Sequence, residues 1–333
     1  VIRRKAIGDV VTSLEAVRAL RERWPAARLE VVVDRIAAPL LCELDWLDEL
    51  LVYDPPTGWA RIVYDLAWWL RLARRRYELV LDLMGTPLTA AWTFAAGRGV
   101  RVGRKRRGRA WAYNLLVVRP EGPVRFAGED FLDCARAAGA SAGRWRPVRL
   151  LRENTAALRH PPPEGDGPWI IVHPPATWSA KAWPLGSWGE LILSLRQAGI
   201  ERIEISWGPG EESTRDEVLR RARGAAVPMP AVDLVELTRR LSACDLLIAV
   251  DSGPVHLAVA QGTPTLTLFG STDPRGWHPP VEGHRVLFHD VECRPCNLTV
   301  CPVEGHPCLD RLEPQEVLQE ALSMLRGAKE VSR

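Results

Sequence analysis

The stretch Leu246-Leu247-Ile248-Ala249-Val250-Asp251-Ser252-Gly253-Pro254-Val255-His256 runs from an apolar segment of strand length into the start of a helix. Pro254 suits the first helical position, and Gly262 suits the residue that ends the helix. A strand that passes directly into a helix is one half of a parallel-sheet unit. Outward from this stretch the same rhythm repeats. Strand-like runs over residues 1–3, 29–33, 50–53, 79–83 and 100–103 precede a proline-rich segment, and runs over 169–173, 203–207, 246–250, 265–269 and 286–289 follow it. Longer amphipathic patterns lie between them. Val10, Leu14, Val17 and Leu20 keep helical spacing over 10–23, and Ser187 with Glu190 matches a capping box before another helix.

These features predict an α/β protein with two domains, since 333 residues exceed one typical core. His160-Pro161-Pro162-Pro163-Glu164-Gly165-Asp166-Gly167-Pro168 can continue neither a helix nor a central strand. The expected division is a first domain over 1–155, a linker over 156–168 and a second domain over 169–333. Ligands of open parallel sheets collect at the carboxyl ends of the strands, and two such domains facing each other would seat a ligand in a central cleft.

Composition narrows the class. A content of 47% hydrophobic and 26% charged residues is that of an ordinary globular protein. Without a signal-peptide pattern or an apolar run of about 20 residues, the expectation is a cytoplasmic chain. The sequence opens inside a predicted strand and without methionine, so a few strand residues are expected ahead of Val1. A net charge of +3 does not advertise a nucleic-acid partner. The charge is unevenly spread, however: Arg98, Arg101, Arg104, Lys105, Arg106, Arg107 and Arg109 crowd one short stretch. Such a run is either a solvated loop or a docking surface for a phosphorylated sugar or the inner face of a membrane.

Four places carry candidate chemistry. Asp9, in Ala6-Ile7-Gly8-Asp9-Val10, is expected where a glycine turn enters a helix; a carboxylate there is either a cap or a general base toward a hydroxyl. Thr177 and Lys181 offer a hydroxyl and a point charge to a diphosphate, amid Trp178 and Trp183. Asp251, Ser252, Gly253 and His256 lie at a helix start, where backbone amides favour anions, although a lone histidine is more often a core residue. Cys293-x2-Cys296-x4-Cys301-x6-Cys308 gathers four of the seven cysteines. That set can enclose a structural zinc or iron or simply pack a loop as reduced thiols. No GxGxxG, no GxxxxGK[ST] and no Asp-x-Asp occurs, which disfavours dinucleotide oxidoreductases, P-loop nucleotidases and a metal-bridged sugar nucleotide.

Taken in order, these motifs resemble glycosyltransferase family nine, the heptosyltransferases. Ile7-Gly8-Asp9-Val10-Val11 is similar to the family's opening motif, and Tyr77 through Gly85 to its next strand. Pro175-Ala176-Thr177 and Lys181-Ala182-Trp183-Pro184 are similar to its donor-phosphate loop. Asp251 through Ala258, Gly262-Thr263-Pro264-Thr265 and Phe269 through Pro274 are similar to its nucleotide segment. The resemblance implies a GT-B architecture and an inverting, metal-independent transfer of heptose from ADP-heptose to a lipopolysaccharide-core saccharide, with no cofactor required for catalysis. It implies Asp9 as base, Thr177, Lys181 and the amides around Ser252 and Gly253 as the diphosphate site, and Glu211 as a ribose contact. Arg104, Lys105 and Arg107 would then hold an anionic saccharide or lipid-linked acceptor. Lys5 departs from the small residue common in the family. The rival readings are a transferase of another sugar nucleotide or acceptor, and a non-catalytic nucleotide-sugar-binding protein.

Overall fold

The computed structural model describes residues 1–151 and 158–331, and the chain forms two compact units, Val1–Val148 and Arg149–Arg333. The domain boundary expected at 155–156 lies outside the described residues.

The first unit runs α1 (Ile7–Arg23), β1 (Glu30–Asp34), α2 (Ala38–Leu41), β2 (Glu49–Tyr53), α3 (Ala60–Arg75), β3 (Tyr77–Asp82), α4 (Pro87–Ala96), β4 (Gly97–Arg104), β5 (Leu115–Val117) and α5 (Ala127–Ala137). All its strand pairs are parallel. The strand expected over 1–3 is reduced to one residue. Ile2 pairs with Val32 on one side and Asp82 on the other, so it sits mid-sheet between β1 and β3, and the chain turns into α1 before a ladder develops. Ile2, Val32, Leu51 and Val80 are buried with Tyr53, Trp68 and Trp92, whose rings meet edge-on or tilted at 4.9–5.9 Å. The α4 helix starts on a true capping box, Thr86 with Thr89, ahead of Pro87. Strand β5 was not expected from the sequence: it is three residues long, and Leu116 is exposed.

The second unit runs β6 (Trp169–His173), α6 (Leu185–Gln197), β7 (Arg202–Ile205), α7 (Glu212–Ala222), β8 (Val227–Pro228), α8 (Leu234–Ala243), β9 (Leu246–Val250), α9 (Gly253–Gln261), β10 (Thr265–Leu268), α10 (Pro274–Trp277), β11 (His284–Leu287), α11 (Pro307–Asp310) and α12 (Pro314–Val331). Its sheet has the order β11-β10-β9-β6-β7-β8, all parallel. Counted from β6, this is the 3-2-1-4-5-6 order of dinucleotide-binding sheets, whose direction of winding reverses between the first and fourth strands. Strands β6 and β9 are buried along their whole length, as expected when helices cover both faces.

Two local expectations need correction. Helix α6 begins at Leu185 after Pro184 without a side-chain cap, so Ser187 already lies in the first turn and the Ser187–Glu190 box does not form. In α9, Gly253 takes the first position and Pro254 the second. Gly262 does end that helix, at φ 81°, a conformation that strains any residue with a Cβ. The part of the proline-rich segment that is described belongs to the second unit. The Arg240 guanidinium, buried against Glu204, donates to the carbonyls of His160 and Pro161, and Arg202 donates to Pro163 and Gly167.

Candidate active site

In the second unit the reversal of strand order places two loops side by side. One leaves β6 and carries Thr177 and Lys181; the other leaves β9 and carries Asp251, Ser252 and Gly253. Lys181 Nζ donates to Asp251 Oδ2 at 2.6 Å, and the Thr272 hydroxyl donates to the same oxygen at 2.7 Å. The ammonium also stands 4.6 Å from the centre of the Trp178 ring. An ammonium has three donors, so Asp251 fixes Lys181 and leaves donors over for another anion. Ser252 is the N-cap residue of α9, and its hydroxyl bonds back to Val250 O at 3.0 Å. The first amides of α9 therefore have no side-chain cap, which suits a bound anion. Thr177 is exposed and His256 half-buried in the first turns of α9. Glu211 follows β7, the second strand of the winding, where dinucleotide-binding sheets carry an acidic residue. It is half-buried, accepts from Gly208 N–H at 2.7 Å, and burial raises its carboxyl above the ordinary value. Three histidines of this unit are held neutral. Burial lowers His173, His278 and His284 to about 4, with the charges of His284 and His256 adding to the effect on His278.

In the first unit Gly8 is not a turn residue. It lies inside α1, whose N-cap is Ala6, and Asp9 is in the first turn. The Asp9 carboxylate is paired with Arg3, a residue that sequence reasoning missed. Arg3 is itself buried, donates to Leu83 O at 3.0 Å and stands over the Phe131 ring at 4.8 Å. Burial pulls its guanidinium below the usual value, against the pull of Asp9. Nearby in the sheet, buried Asp82 accepts from Tyr113 Oη at 2.7 Å and from the amides of Met84 and Gly85. A cavity of about 500 Å3 opens among Val1, Trp24, Leu29 and Tyr77 at the amino end of the sheet, and Asp9 is not part of its lining.

The basic run is less free than its sequence suggests. Arg104 donates to buried Asp130 at 3.0 Å, and Arg101 to Ala112 O at 2.9 Å. Lys105, Arg106 and Arg107 are exposed.

The four cysteines do come together. Cys293, Cys296, Cys301 and Cys308 line one cavity of about 30 Å3 with His306, and burial pushes the Cys308 thiol up to about 11. Among the described residues no three or more His, Cys, Asp or Glu side chains stand in the geometry of a metal site. The donor chemistry is that of a thiophilic ion, but the spacing is not that of a closed ligand set. The same loop buttresses Lys181: Ala180 N–H donates to Thr299 O, and Ala180 O accepts from Ser271 N–H and from His306 Nε2.

A family model described as glycosyltransferase family 9 (heptosyltransferase) matches residues 66–306. The chain belongs to that family. It is therefore a glycosyltransferase, and relatives of this family 9 chain include lipopolysaccharide heptosyltransferase 1 of Pseudomonas aeruginosa, 25% identical over 97% of both chains. Another is lipopolysaccharide core heptosyltransferase OpsX of Haemophilus influenzae, 22% identical over 82% of this chain and 79% of the relative. The fold matches the E. coli heptosyltransferase WaaC with ADP at a TM-score of 0.75, 22% identity, and 97% and 98% coverage. It also matches the E. coli ADP-heptose lps heptosyltransferase II at 0.77, 21% identity and 98% of each chain. A more distant match at 0.63, with 16% identity and covering 98% of this chain and 75% of the other, is the iron-containing dodecameric glycosyltransferase TibC from enterotoxigenic E. coli. These likenesses establish a GT-B-type α/β fold.

Proposed function

We propose that this family 9 enzyme moves a heptose from ADP-heptose to a saccharide of lipopolysaccharide-core type, by an inverting displacement that needs no metal. The observation that carries this reading is the Lys181–Asp251 pair at the strand-order reversal of the second unit, where sheets of this winding bind nucleotides. The names of the relatives and of the ADP-bound structural match support the donor. In the reaction, the Asp9 carboxylate takes the proton of the acceptor hydroxyl as that oxygen attacks the anomeric carbon. The bond from that carbon to the diphosphate breaks, and ADP leaves with the electron pair. Lys181, Thr177 and the amides of Ser252 and Gly253 meet the charge that develops on the leaving group. Glu211 accepts from a ribose hydroxyl, and His256 lies beside the diphosphate. One displacement at one carbon inverts its configuration. Arg3 acts as a positioning residue, holding Asp9 while it stays behind it. Lys105 and Arg107, with Arg104 anchored on Asp130, take the anionic groups of a saccharide or lipid-linked acceptor, on a chain that works in the cytoplasm against the inner face of the membrane.

A zinc or iron at Cys293, Cys296, Cys301 and Cys308 would be structural, since four thiolates leave no open position. Its effect would reach the reaction only through the Ala180 contacts that steady the Lys181 loop. Metal analysis of protein purified without chelator tests it. The donor reading is tested by a panel of sugar nucleotides with mass detection of the product. Transfer from ADP-heptose and stabilisation by ADP over UDP are expected. Transfer from a UDP-sugar, or ADP binding without any transfer, would replace the reading.

A further inference from the structure

Helix α3 carries an apolar stripe on its solvent side. Trp59, Ile62, Val63, Leu66, Trp69 and Leu70 are each between 37% and 80% exposed. They recur at three- and four-residue intervals, so they fall within roughly a third of the helix circumference. The opposite side holds Tyr64, Trp68 and Leu72, packed into the core of the first unit. The outward stripe is thus a second apolar face, of a kind that solitary exposed residues do not make. Its border toward the carboxyl end of the helix is cationic, at Arg74 and Arg76, while Arg61 is paired with Asp65, and Arg71 and Arg75 with Glu49. Between Trp59 and Arg76 the sequence has five arginines and a single acid, Asp65, and Asp65 is spent on Tyr53 and Arg61. Arg61, Arg71, Arg74 and Arg76 are exposed, and among the described residues neither Arg74 nor Arg76 forms an ion pair. No helix among the described residues is long and apolar enough to cross a membrane.

We infer that α3 is a docking surface for an anionic lipid bilayer, lying in the plane of the interface with Trp59, Ile62, Leu66 and Trp69 inserted and Arg74 and Arg76 on lipid phosphates. Arginine-bordered apolar stripes with tryptophan on them have this preference: the apolar side chains enter the acyl boundary, and the cations are drawn to the negative surface. A protein partner of equal apolarity would leave those cations unanswered. The inference rests on the proposed reading only in giving the lipid-linked acceptor a place to be met, because the stripe itself is independent of the sugar transferred.

The test is co-sedimentation of the whole chain with phosphatidylglycerol vesicles and with phosphatidylcholine vesicles, beside the double variant Ile62→Glu/Leu66→Glu. Both positions are exposed, so thermal melting of the variant should match the unmodified chain. Binding to the anionic vesicles, weaker binding to the neutral ones, loss with added salt and a drop of about tenfold or more in the variant are expected. Equal binding by the variant, or none by either protein, overturns the inference. So does a stripe that pairs two copies, seen as a dimer by sedimentation that the variant abolishes while vesicles are ignored. Turnover on a delipidated, soluble acceptor separates this from the reaction itself. The variant should work there as well as the unmodified chain, and failure of both proteins on every donor would strike the proposed function while leaving vesicle binding as the measure of α3.

Discussion

The two units carry the same device in opposite senses. Each sets a cation–carboxylate pair at the carboxyl ends of the strands where its sheet reverses, Arg3 with Asp9 in the first and Lys181 with Asp251 in the second. In the first pair the cation lies behind, 10% exposed against 26% for the carboxylate; in the second the carboxylate lies behind, 8% against 16% for the ammonium. The backing partner is also the better anchored. Arg3 is tied to Leu83 O and Phe131, and Asp251 to Thr272. The more exposed partner is thus the negative group in one unit and the positive group in the other, the division of work that the proposed transfer from a diphosphate to a hydroxyl would use.

The contrast breaks first at Asp9. Asp9→Asn keeps the size of the side chain and removes the carboxylate proposed as base, and steady-state assays should find turnover lower by roughly 10²–10⁴; unchanged turnover would reject the role. The next effect is on stability and is confined to one side, because all seven histidines lie beyond residue 149. Their ordinary value is near 6.5, and His173, His278 and His284 fall to about 4 in the folded chain. Between those values the unfolded chain binds more protons than the folded one. Stability is therefore full above about pH 6.5 and is lost as the pH falls toward 4, by roughly 3 kcal/mol for His173 alone. Melting curves from pH 7 to 4 check this, and His173→Asn should flatten the slope. The smallest effect sharpens the second pair. Thr272→Val removes one bond to Asp251 and should cost about 1 kcal/mol in denaturant titration. Turnover in that variant should fall by less than about tenfold, because Lys181 keeps its hold on the carboxylate.

Much of the second unit was legible in the sequence because its central strands are buried end to end. Continuous runs such as Trp169–His173 and Leu246–Val250 have no solvent face to interrupt them. The first unit was harder to read. Its middle strand is reduced to Ile2, and β5 is a short, half-exposed edge whose apolar content is too small to stand out. The false capping box at Ser187 shows that a motif of side chains yields to a proline that sets the helix start earlier. For the proposed site, the sequence presents the candidate residue types but not the partners that the fold gives them. Lys181 and Asp251 are 70 positions apart, and nothing local in either segment announces that they meet. Arg3 carries no motif at all, and Thr272, although inside the Phe269–Pro274 segment, shows its partner only when the strand order brings residues 251 and 272 together, as it does residues 3 and 83.

The most direct measurement is calorimetric titration of ADP into Asp9→Asn and Lys181→Ala side by side. Asp9→Asn should bind ADP within about twofold of the unmodified chain, while Lys181→Ala should lose about tenfold or more, as removal of a charge-assisted contact to a phosphate causes. Equal loss in both, or full ADP affinity in Lys181→Ala, would contradict the proposed division of work.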